Sequence, residues 1–118
     1  MVIKLFKDIT FDAKAVLLER KSEGVWSEKE VRITSYDDIK NLVGFKTFTE
    51  RVDIDEYHKL YFSVDHLIEC GGLVAFAEIR DKAYFMASPI LLVYCDGVRP
   101  IDITSDSLKK MREMLDLC

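Results

Sequence analysis

The clearest pattern in this chain is a stripe of apolar side chains between residues 57 and 68. Its members recur at steps of three and four, the spacing of one face of a helix: Tyr57, Leu60, Tyr61, Val64, Leu67 and Ile68. Asp55 precedes the stripe as a candidate N-cap, and Gly71 and Gly72 follow it, where a left-handed C-cap favours glycine. The pattern therefore predicts a helix that begins after Asp55 and ends at Gly71.

A continuously apolar run follows these glycines and predicts a strand. Residues 73–76 are all apolar and contain no proline, as in an interior strand that helices cover on both faces. Its expected neighbour is a strand from Ala15 to Glu19, because a parallel sheet needs a central partner for residues 73–79. Residues 11–20 also fit a helix, since periodicity alone cannot separate the two structures in so short an apolar run.

Residues 21–54 combine a predicted loop, a strand and a helix. Residues 21–29 are mostly polar and contain Gly24, which predicts a loop, and the alternation in residues 30–34 predicts a short strand. Ser35 then caps a helix that ends at Gly44. The apolar face of this helix comprises Tyr36, Ile39, Leu42 and Val43. Residues 45–54 are expected to form an extended loop or an exposed strand.

The last third of the chain predicts a bent strand, a hairpin and a final helix. Residues 83–87 and 90–95 are interpreted as one strand interrupted at Pro89, which cannot donate to a ladder. Asp96-Gly97 is a strong turn signal, so residues 98–103 are expected to return as a hairpin partner. Thr104 or Ser105 caps the last helix. The inward face of that helix comprises Leu108, Met111, Met114 and Leu115.

Together these elements predict an α/β (α+β) fold in one small domain covering residues 1–118. We expect a mixed central sheet of four to five strands flanked by about three helices. A chain of 118 residues with 49% hydrophobic residues can bury a core without disulfides or metals. The sequence contains no internal repeat and no linker.

The charge balance bears on the partners of this protein. The formal net charge is −4, and the lysines and arginines are scattered rather than clustered, which disfavours nucleic-acid binding. The N-terminal apolar segment is too short for a signal peptide, and no run approaches the ~20 apolar residues of a membrane span. We therefore expect a protein made in the cytosol, with no membrane partner.

Cysteine usage indicates thiols rather than a disulfide framework. The three cysteines, Cys70, Cys95 and Cys118, are an odd number and contain no CxxC pair. Cys70 and Cys95 are expected to be reduced thiols in or beside the core. Cys118 is the last residue, so an exposed thiol and a disulfide to a neighbouring subunit are both open for it.

The candidate metal ligands are too few to form a metal site. His66 and Cys70 are four residues apart on the predicted helix, with Glu69 beside them, which is half of a zinc site by geometry. Zinc needs three or four protein ligands, and no other cysteine or histidine pair has ligand spacing. His58, like His66, lies off the apolar stripe. These residues are interpreted as a solvated polar face, and we expect no metal and no cofactor.

The candidate catalytic residues have an equally simple interpretation. Asp53, Asp55 and Glu56 are close enough for a pair of acid–base carboxylates, but they precede a predicted helix, whose dipole favours acids at that end. No nucleophile elbow, GxGxxG or Walker loop occurs. We therefore predict no catalytic residues, no small-molecule substrate and no enzyme activity.

The order of elements resembles the first α/β module of contractile tail sheath proteins of phages and related injection machines. In that family a strand ends in Thr-Ser, a helix ends in Phe-Gly, a second helix carries Tyr before a hydrophobic pattern and ends in Gly-Gly or Asn-Gly, and a strand follows. The matching positions over residues 12–80 are Thr34-Ser35, Val43-Gly44-Phe45, Tyr61, Leu67-Ile68, Gly71-Gly72 and Ile79-Arg80. Family members are several times longer, and the Gly-Pro expected near Ser27 is absent.

The resemblance implies a reduced, structural version of such a protein. It would be assembled in the host cytoplasm into the sheath, collar, neck or baseplate of a virion, as a homo-oligomer in contact with other tail or neck proteins. Subunits would form rings around the tail tube and pair by strand addition. The expected interface residues are Val2, Ile3, Leu5, Phe6, Trp26, Phe45 and Cys118. Trp26 has a second interpretation, as an anchor that packs a loop onto the domain.

A small cytosolic binding module is the competing hypothesis. An acidic chain of this size is ordinary for an immunity or inhibitor protein, which acts by surface complementarity to another protein. The mass of the protein in solution separates the two hypotheses, because rings or filaments support the sheath interpretation and a stable monomer contradicts it.

Overall fold

The structure is a computed structural model that describes residues 10–44, 49–64 and 75–118. Within these ranges the chain forms one small α+β domain of nine strands and two helices. The strands are β1 (Ala13–Ser22), β2 (Val25–Ile33), β3 (Thr49–Asp53), β4 (His58–Ser63), β5 (Ala75–Ile79), β6 (Lys82–Met86), β7 (Ile90–Asp96), β8 (Arg99–Ile101) and β9 (Leu115–Leu117). The helices are α1 (Tyr36–Val43) and α2 (Ser105–Met114). Neither of these helices has the length and apolar composition needed to cross a membrane.

The strands form two antiparallel sheets rather than the predicted single mixed sheet. The large sheet has the order β2-β1-β7-β4-β3, with β8 also paired to β7, and the small sheet has the order β6-β5-β9. Every pairing between described strands is antiparallel. Four of these pairings join strands that are consecutive in the chain through short turns, a connection that only antiparallel neighbours allow. The expected parallel partnership of residues 15–19 with residues 73–79 is therefore wrong.

Two cores lie on opposite faces of the large sheet. The inner core fills the space between the two sheets and contains Val16, Leu18, Leu60, Phe62, Ala75, Ala77, Met86, Ile90, Leu92 and Met111. The outer core lies between the large sheet and α1 and contains Ala13, Ala15, Leu17, Ile39, Val43, Leu91 and Val93. The molecule therefore has three layers, in the order α1, large sheet, and small sheet with α2.

The predicted helix over the apolar stripe is wrong over residues 58–63. Residues 58–63 form β4, and all six residues of this strand are buried. Leu60 and Phe62 face the inner core, whereas Tyr61 faces the outer core. A strand covered on both faces loses its alternation, so its apolar residues matched helical spacing by chance. Residues 65–74, which include His66, Cys70 and the two glycines, lie outside the described residues.

The first hairpin confirms one expectation and corrects another. The strand predicted at residues 15–19 is confirmed as part of β1. The loop predicted at residues 21–29 is wrong, because the turn consists of Glu23 and Gly24 alone, with Gly24 at a φ of 73°, and β2 begins directly after it. β2 was expected only at residues 30–34. Its first half is polar because it lies at the edge of the sheet, where one side of the strand meets water.

Helix α1 confirms the predicted caps. The Ser35 hydroxyl accepts a hydrogen bond from the Asp38 backbone N–H at 3.2 Å, and the Asp38 carboxylate accepts one from the Thr34 N–H at 2.7 Å. Hydrogen bonds from the Thr34 backbone and hydroxyl lower the pKa of Asp38. Gly44 ends the helix in the left-handed conformation, with a φ of 78°. Local sequence therefore determines both ends of this helix.

Replacing Ser35 by alanine tests the cap. We expect Ser35→Ala to lower the free energy of unfolding by about 1 kcal/mol, because an orphan N–H of the first turn loses its acceptor. Urea denaturation measures the change. Ser35→Thr is the control, since it keeps the hydroxyl and is expected to lose less than half as much. Equal losses in the two variants would contradict the capping role.

The second half of the chain alternates between the two sheets. The bent strand predicted around Pro89 is instead two strands, β6 in the small sheet and β7 in the large one. The Asp96-Gly97 turn with its partner β8 and the final helix α2 are confirmed. The strand predicted after the glycines is confirmed as β5 over residues 75–79, but the expected cover on both faces is wrong, because Glu78 on its outer face is exposed. Thr104 is the N-cap of α2. Met111 and Leu115 are buried as expected, whereas Leu108 and Met114 are only partly buried.

Candidate functional site

Three turns meet at one end of the molecule and enclose a cleft. They are the β3–β4, β5–β6 and β7–β8 turns, and the cleft between them has a volume of about 400 Å³. We call this the turn-end cleft, and it is lined by Asp53, Asp55, Glu56, Lys59, Arg80 and Gly97. It contains the three acids that were predicted to precede a helix. The strand β4 follows them directly in place of the predicted helix, so their expected role at a helix dipole is wrong.

Asp55 organises the β3–β4 turn. Its Oδ1 accepts hydrogen bonds from the backbone N–H groups of Tyr57 and His58, both at 2.8 Å, and lies 2.7 Å from His58 Nδ1. Because an ionised carboxylate only accepts, Nδ1 carries the imidazole proton. On the other oxygen, Oδ2 accepts from Lys110 Nζ at 2.8 Å, which ties the turn to α2. Asp55 thus caps a turn by the hydrogen bonds expected for a helix cap.

These contacts decide the charge of Asp55. Partial burial opposes ionisation, but the hydrogen bonds from Lys110, His58 and the backbone outweigh it and hold the pKa of Asp55 far below its usual range. Asp53 is also paired, with Arg51 Nε at 2.9 Å and with the nine-tenths buried Lys59 Nζ at 3.4 Å. Both aspartates are therefore held in ion pairs with basic side chains.

The β5–β6 turn holds a strained conformation beside the cleft. Arg80 and Asp81 both have positive φ, at 52° and 65°, as a two-residue hairpin turn of this kind requires. Asn-Gly is the usual sequence at such positions, because other residues meet a steric cost there. Strained backbone is concentrated at functional sites. The turn holds Arg80 at the wall of the cleft.

The residues predicted to form an interface fall into two groups. Val2, Ile3, Leu5, Phe6 and Phe45 lie outside the described residues. The other two, Trp26 and Cys118, are brought together: Trp26 Nε1 donates to the Cys118 backbone oxygen at 3.3 Å, and Arg20 Nε donates to the same oxygen at 2.8 Å. Trp26 lies on β2 rather than on a loop, and its half-buried side chain packs against the inner core.

The two described cysteines are expected to differ sharply in reactivity. Cys95 is buried in the outer core, and burial raises the pKa of its thiol to about 11, whereas Cys118 is exposed. With iodoacetamide at pH 8 we expect Cys95 to react about 100-fold more slowly than Cys118, because the thiolate is the nucleophile. Mass spectrometry of peptides measures both rates, which should converge in guanidinium. Equal rates in the native protein would contradict this packing.

A second candidate site is the β6 edge of the small sheet, which pairs with no further strand among the described residues. Phe76 on β5 and Phe85 on β6 are cross-strand partners whose rings stack at 6.0 Å between centroids, on the face opposite the inner core. Phe85 is 51% exposed and Ala83, on the same face, is also exposed. We call these three residues, Phe76, Ala83 and Phe85, the aromatic edge.

β6 is the least protected of the five edge strands in the described part of the chain, and one of these, β8, has only three residues including a proline. β2 carries Glu28, Lys29, Glu30 and Arg32, and β3 carries Glu50, Arg51 and Asp53, whereas β9 has only three residues. Charged side chains and short length are the usual protection of a sheet edge against pairing with another chain. β6 has no charge after Lys82. It is therefore the described edge best suited to accept another strand.

Sequence reasoning found the three acids of the turn-end cleft but missed the aromatic edge. The strand at residues 83–87 was predicted, but its position at an edge depends on long-range pairing that no local pattern contains. The signal that was available is the sequence KAYFM, in which apolar residues point to both faces of a strand that only one core covers.

Within the described ranges, no group of three or more histidine, cysteine or acidic residues could hold a metal ion.

No protein-family model matches the chain, and no curated protein or solved structure matches it significantly.

Proposed function

We propose that this chain is a structural assembly protein, which binds other protein subunits through the open edge of its small sheet. The observation that carries the proposal is the aromatic edge, an exposed Phe85 stacked on Phe76 along a strand without charges after its first residue. In strand addition, main-chain hydrogen bonds supply affinity and side chains on alternate positions supply specificity. β6 offers both, because its outer backbone groups have no partner strand among the described residues and its outer face is aromatic.

The composition around the aromatic edge supports a protein partner. On the same face, Phe76 lies opposite Asp116 of β9, and Ala83 lies opposite Glu78 of β5. The apolar centre is thus bordered by exposed acids, and an apolar centre within a polar rim is the usual anatomy of a protein interface.

We place this assembly in the contractile tail, neck or collar of a phage, following the resemblance to tail sheath proteins. Part of the matched order is present, since β2 leads through Thr34-Ser35 into α1, which ends at Gly44. Residues 58–63, which the sheath resemblance assigns to a second helix, form the strand β4 instead. The proposed location in a phage tail therefore rests on the first half of the resemblance and on the aromatic edge. Subunits around a tail tube are held by strand addition in this proposal.

Mass measurements against concentration test the proposal. Light scattering is expected to give 13.7 kDa for the dilute protein and a rising mass on concentration. Phe85→Lys should weaken this self-association at least about 30-fold, because it removes an aromatic anchor and puts a charge at the edge. Val25→Lys is the matched control, since Val25 is 52% exposed on the protected strand β2, and we expect less than a twofold effect. A mass of 13.7 kDa at every concentration would contradict the proposal.

The turn-end cleft favours a second candidate, a module that binds a different protein by surface complementarity, as immunity and inhibitor proteins do. Tyr57 and Val98, on two of the turns around the cleft, are 48% and 50% exposed, and Arg80 lines the cleft itself. Tyrosine and arginine are enriched at binding hot spots, and the ion pairs of Asp53 and Asp55 fix the surface before a partner arrives. A protein that stays monomeric in the light-scattering experiment would favour this candidate.

A further inference from the structure

We propose that the partner of β6 is a second copy of this chain, paired antiparallel about a two-fold axis at Tyr84. This inference rests on the proposed function and specifies it. The two small sheets would then join into one sheet of six strands, with β6 of each copy at its centre. All five residues of β6, Lys82–Met86, overlap in this register.

The side chains of β6 fit this register on its outer face. A two-fold axis perpendicular to the sheet preserves faces, so each Phe85 lies opposite Ala83 of the second copy. A large side chain then packs beside a small one, and both are exposed in the single chain. The two Phe85 rings become diagonal neighbours, about 7–8 Å apart between Cα atoms, which aromatic side chains can span. Four rings, two from each copy, form one continuous apolar patch.

The charges also fit the register. Lys82 lies opposite Met86 of the second copy, and Tyr84 lies opposite its own counterpart, so no like charges face each other. Antiparallel pairing of β2 with its own copy about such an axis is unfavourable in each of the three central registers. Axes at residues 28, 29 and 30 place Glu28, Lys29 or Glu30 opposite the identical charge. Like charges directly opposite each other are destabilising in a sheet. Self-pairing is therefore selective for β6 over β2.

A closed dimer follows from the symmetry. A two-fold contact uses the same patch on both copies, so association through β6 ends at two subunits. A ring around a tail tube would then be built from dimers that other tail or neck proteins join, so the isolated chain stops at the dimer. The interface formed by two five-residue strands is small, so we expect a weak dimer that populates at high concentration.

Directed disulfide formation tests the register. In a background with Cys70→Ser and Cys118→Ser, one protein carries Ala83→Cys and a second carries Phe85→Cys. Opposite residues in an antiparallel pair have Cα atoms about 4.5–5.5 Å apart, which a disulfide can bridge. We expect the mixture of the two proteins to give a disulfide-linked dimer with at least a tenfold higher yield than either protein alone. Sedimentation equilibrium of the wild-type chain should fit a monomer–dimer scheme.

Different failures of this experiment have different meanings. If Phe85→Lys blocks self-association but either cysteine protein alone cross-links as well as the mixture, the register is wrong and assembly through β6 stands. Species larger than a dimer would also overturn the two-fold arrangement while leaving assembly intact. If the wild-type chain stays monomeric and no cross-link forms, both this inference and the proposed function fail.

Discussion

Leu91→Ala and Leu92→Ala are each expected to lower the free energy of unfolding by about 3 to 4 kcal/mol. These two residues are neighbours on β7, both are fully buried, and their side chains face opposite cores. Each substitution removes apolar contacts and leaves a cavity in a close-packed interior, and leucine-to-alanine changes at such sites cost amounts of this size. Urea denaturation with an unchanged m-value measures both losses.

The comparison between the two variants tests the three-layer arrangement. A strand that is covered on both faces loses stability from either substitution, whereas a strand with one face in water loses it from only one. Val98→Ala, at a position 50% exposed, is the control and is expected to change stability by less than about 0.5 kcal/mol. A small loss at Leu91 with a large loss at Leu92 would contradict the packing of α1 on the large sheet.

Asp55→Ala is the second substitution with a large expected effect, a loss of about 2 to 4 kcal/mol at pH 7. It leaves two backbone N–H groups, the His58 ring and the Lys110 ammonium without their acceptor. Hydrogen bonds to a charged group contribute more than neutral ones, and partly buried donors left unpaired carry a further cost. Asp55→Asn is expected to lose about half as much, since its side-chain oxygen still accepts from the backbone. Urea denaturation at pH 7 measures both variants.

The effect of Asp55→Ala should depend on pH in a defined direction. The pKa of Asp55 is lowered by folding, so this residue contributes its full stability above the pKa of about 3.9 that it has in the unfolded chain. That contribution falls as the pH drops below this value toward the folded pKa. The difference in stability between wild type and variant should therefore shrink below about pH 4. A difference that grows at acidic pH would contradict the charge assignment.

Local signals in the sequence were sufficient to predict those elements whose ends are determined by residues within them or directly beside them. Ser35, Gly44 and the Asp96-Gly97 turn act through hydrogen bonds and φ values within a few residues of chain, so they were predicted correctly. The strands β1 and β5 were also found, because apolar runs of their length fit an interior strand. The coarse fold class, a single small α+β domain, follows from these elements.

Long-range pairing accounts for the failures. Leu60, Tyr61 and Phe62 are all buried because β4 is covered on both sides, and this removes the alternation that identifies a strand. The polar residues of β2 were taken for a loop because nothing in their order shows that β1 supplies their hydrogen bonds. Nor does the local sequence show that β6 and β7 belong to different sheets. Strand partners far apart in the chain decide these features.

The candidate sites were harder to predict than the fold. Asp53, Asp55 and Glu56 were recognised as a group, but Lys59 and Arg80 reach the same cleft only through three turns that meet in space. The aromatic edge depends on which strand lies last in its sheet, which is again a property of topology. Exposure of Phe85 could have been suspected from apolar residues on both faces of β6, but an edge and an interior strand give the same pattern.

Amide hydrogen exchange at two protein concentrations is the most direct test that β6 is the assembly edge. The exchange of residues 82–86 is expected to slow when the protein is concentrated, because its outer N–H groups then donate to a second chain. Residues 25–33, the edge strand of the large sheet, should exchange at the same rate in both samples and serve as the internal control. Protection of residues 25–33 with no change at residues 82–86 would contradict the account.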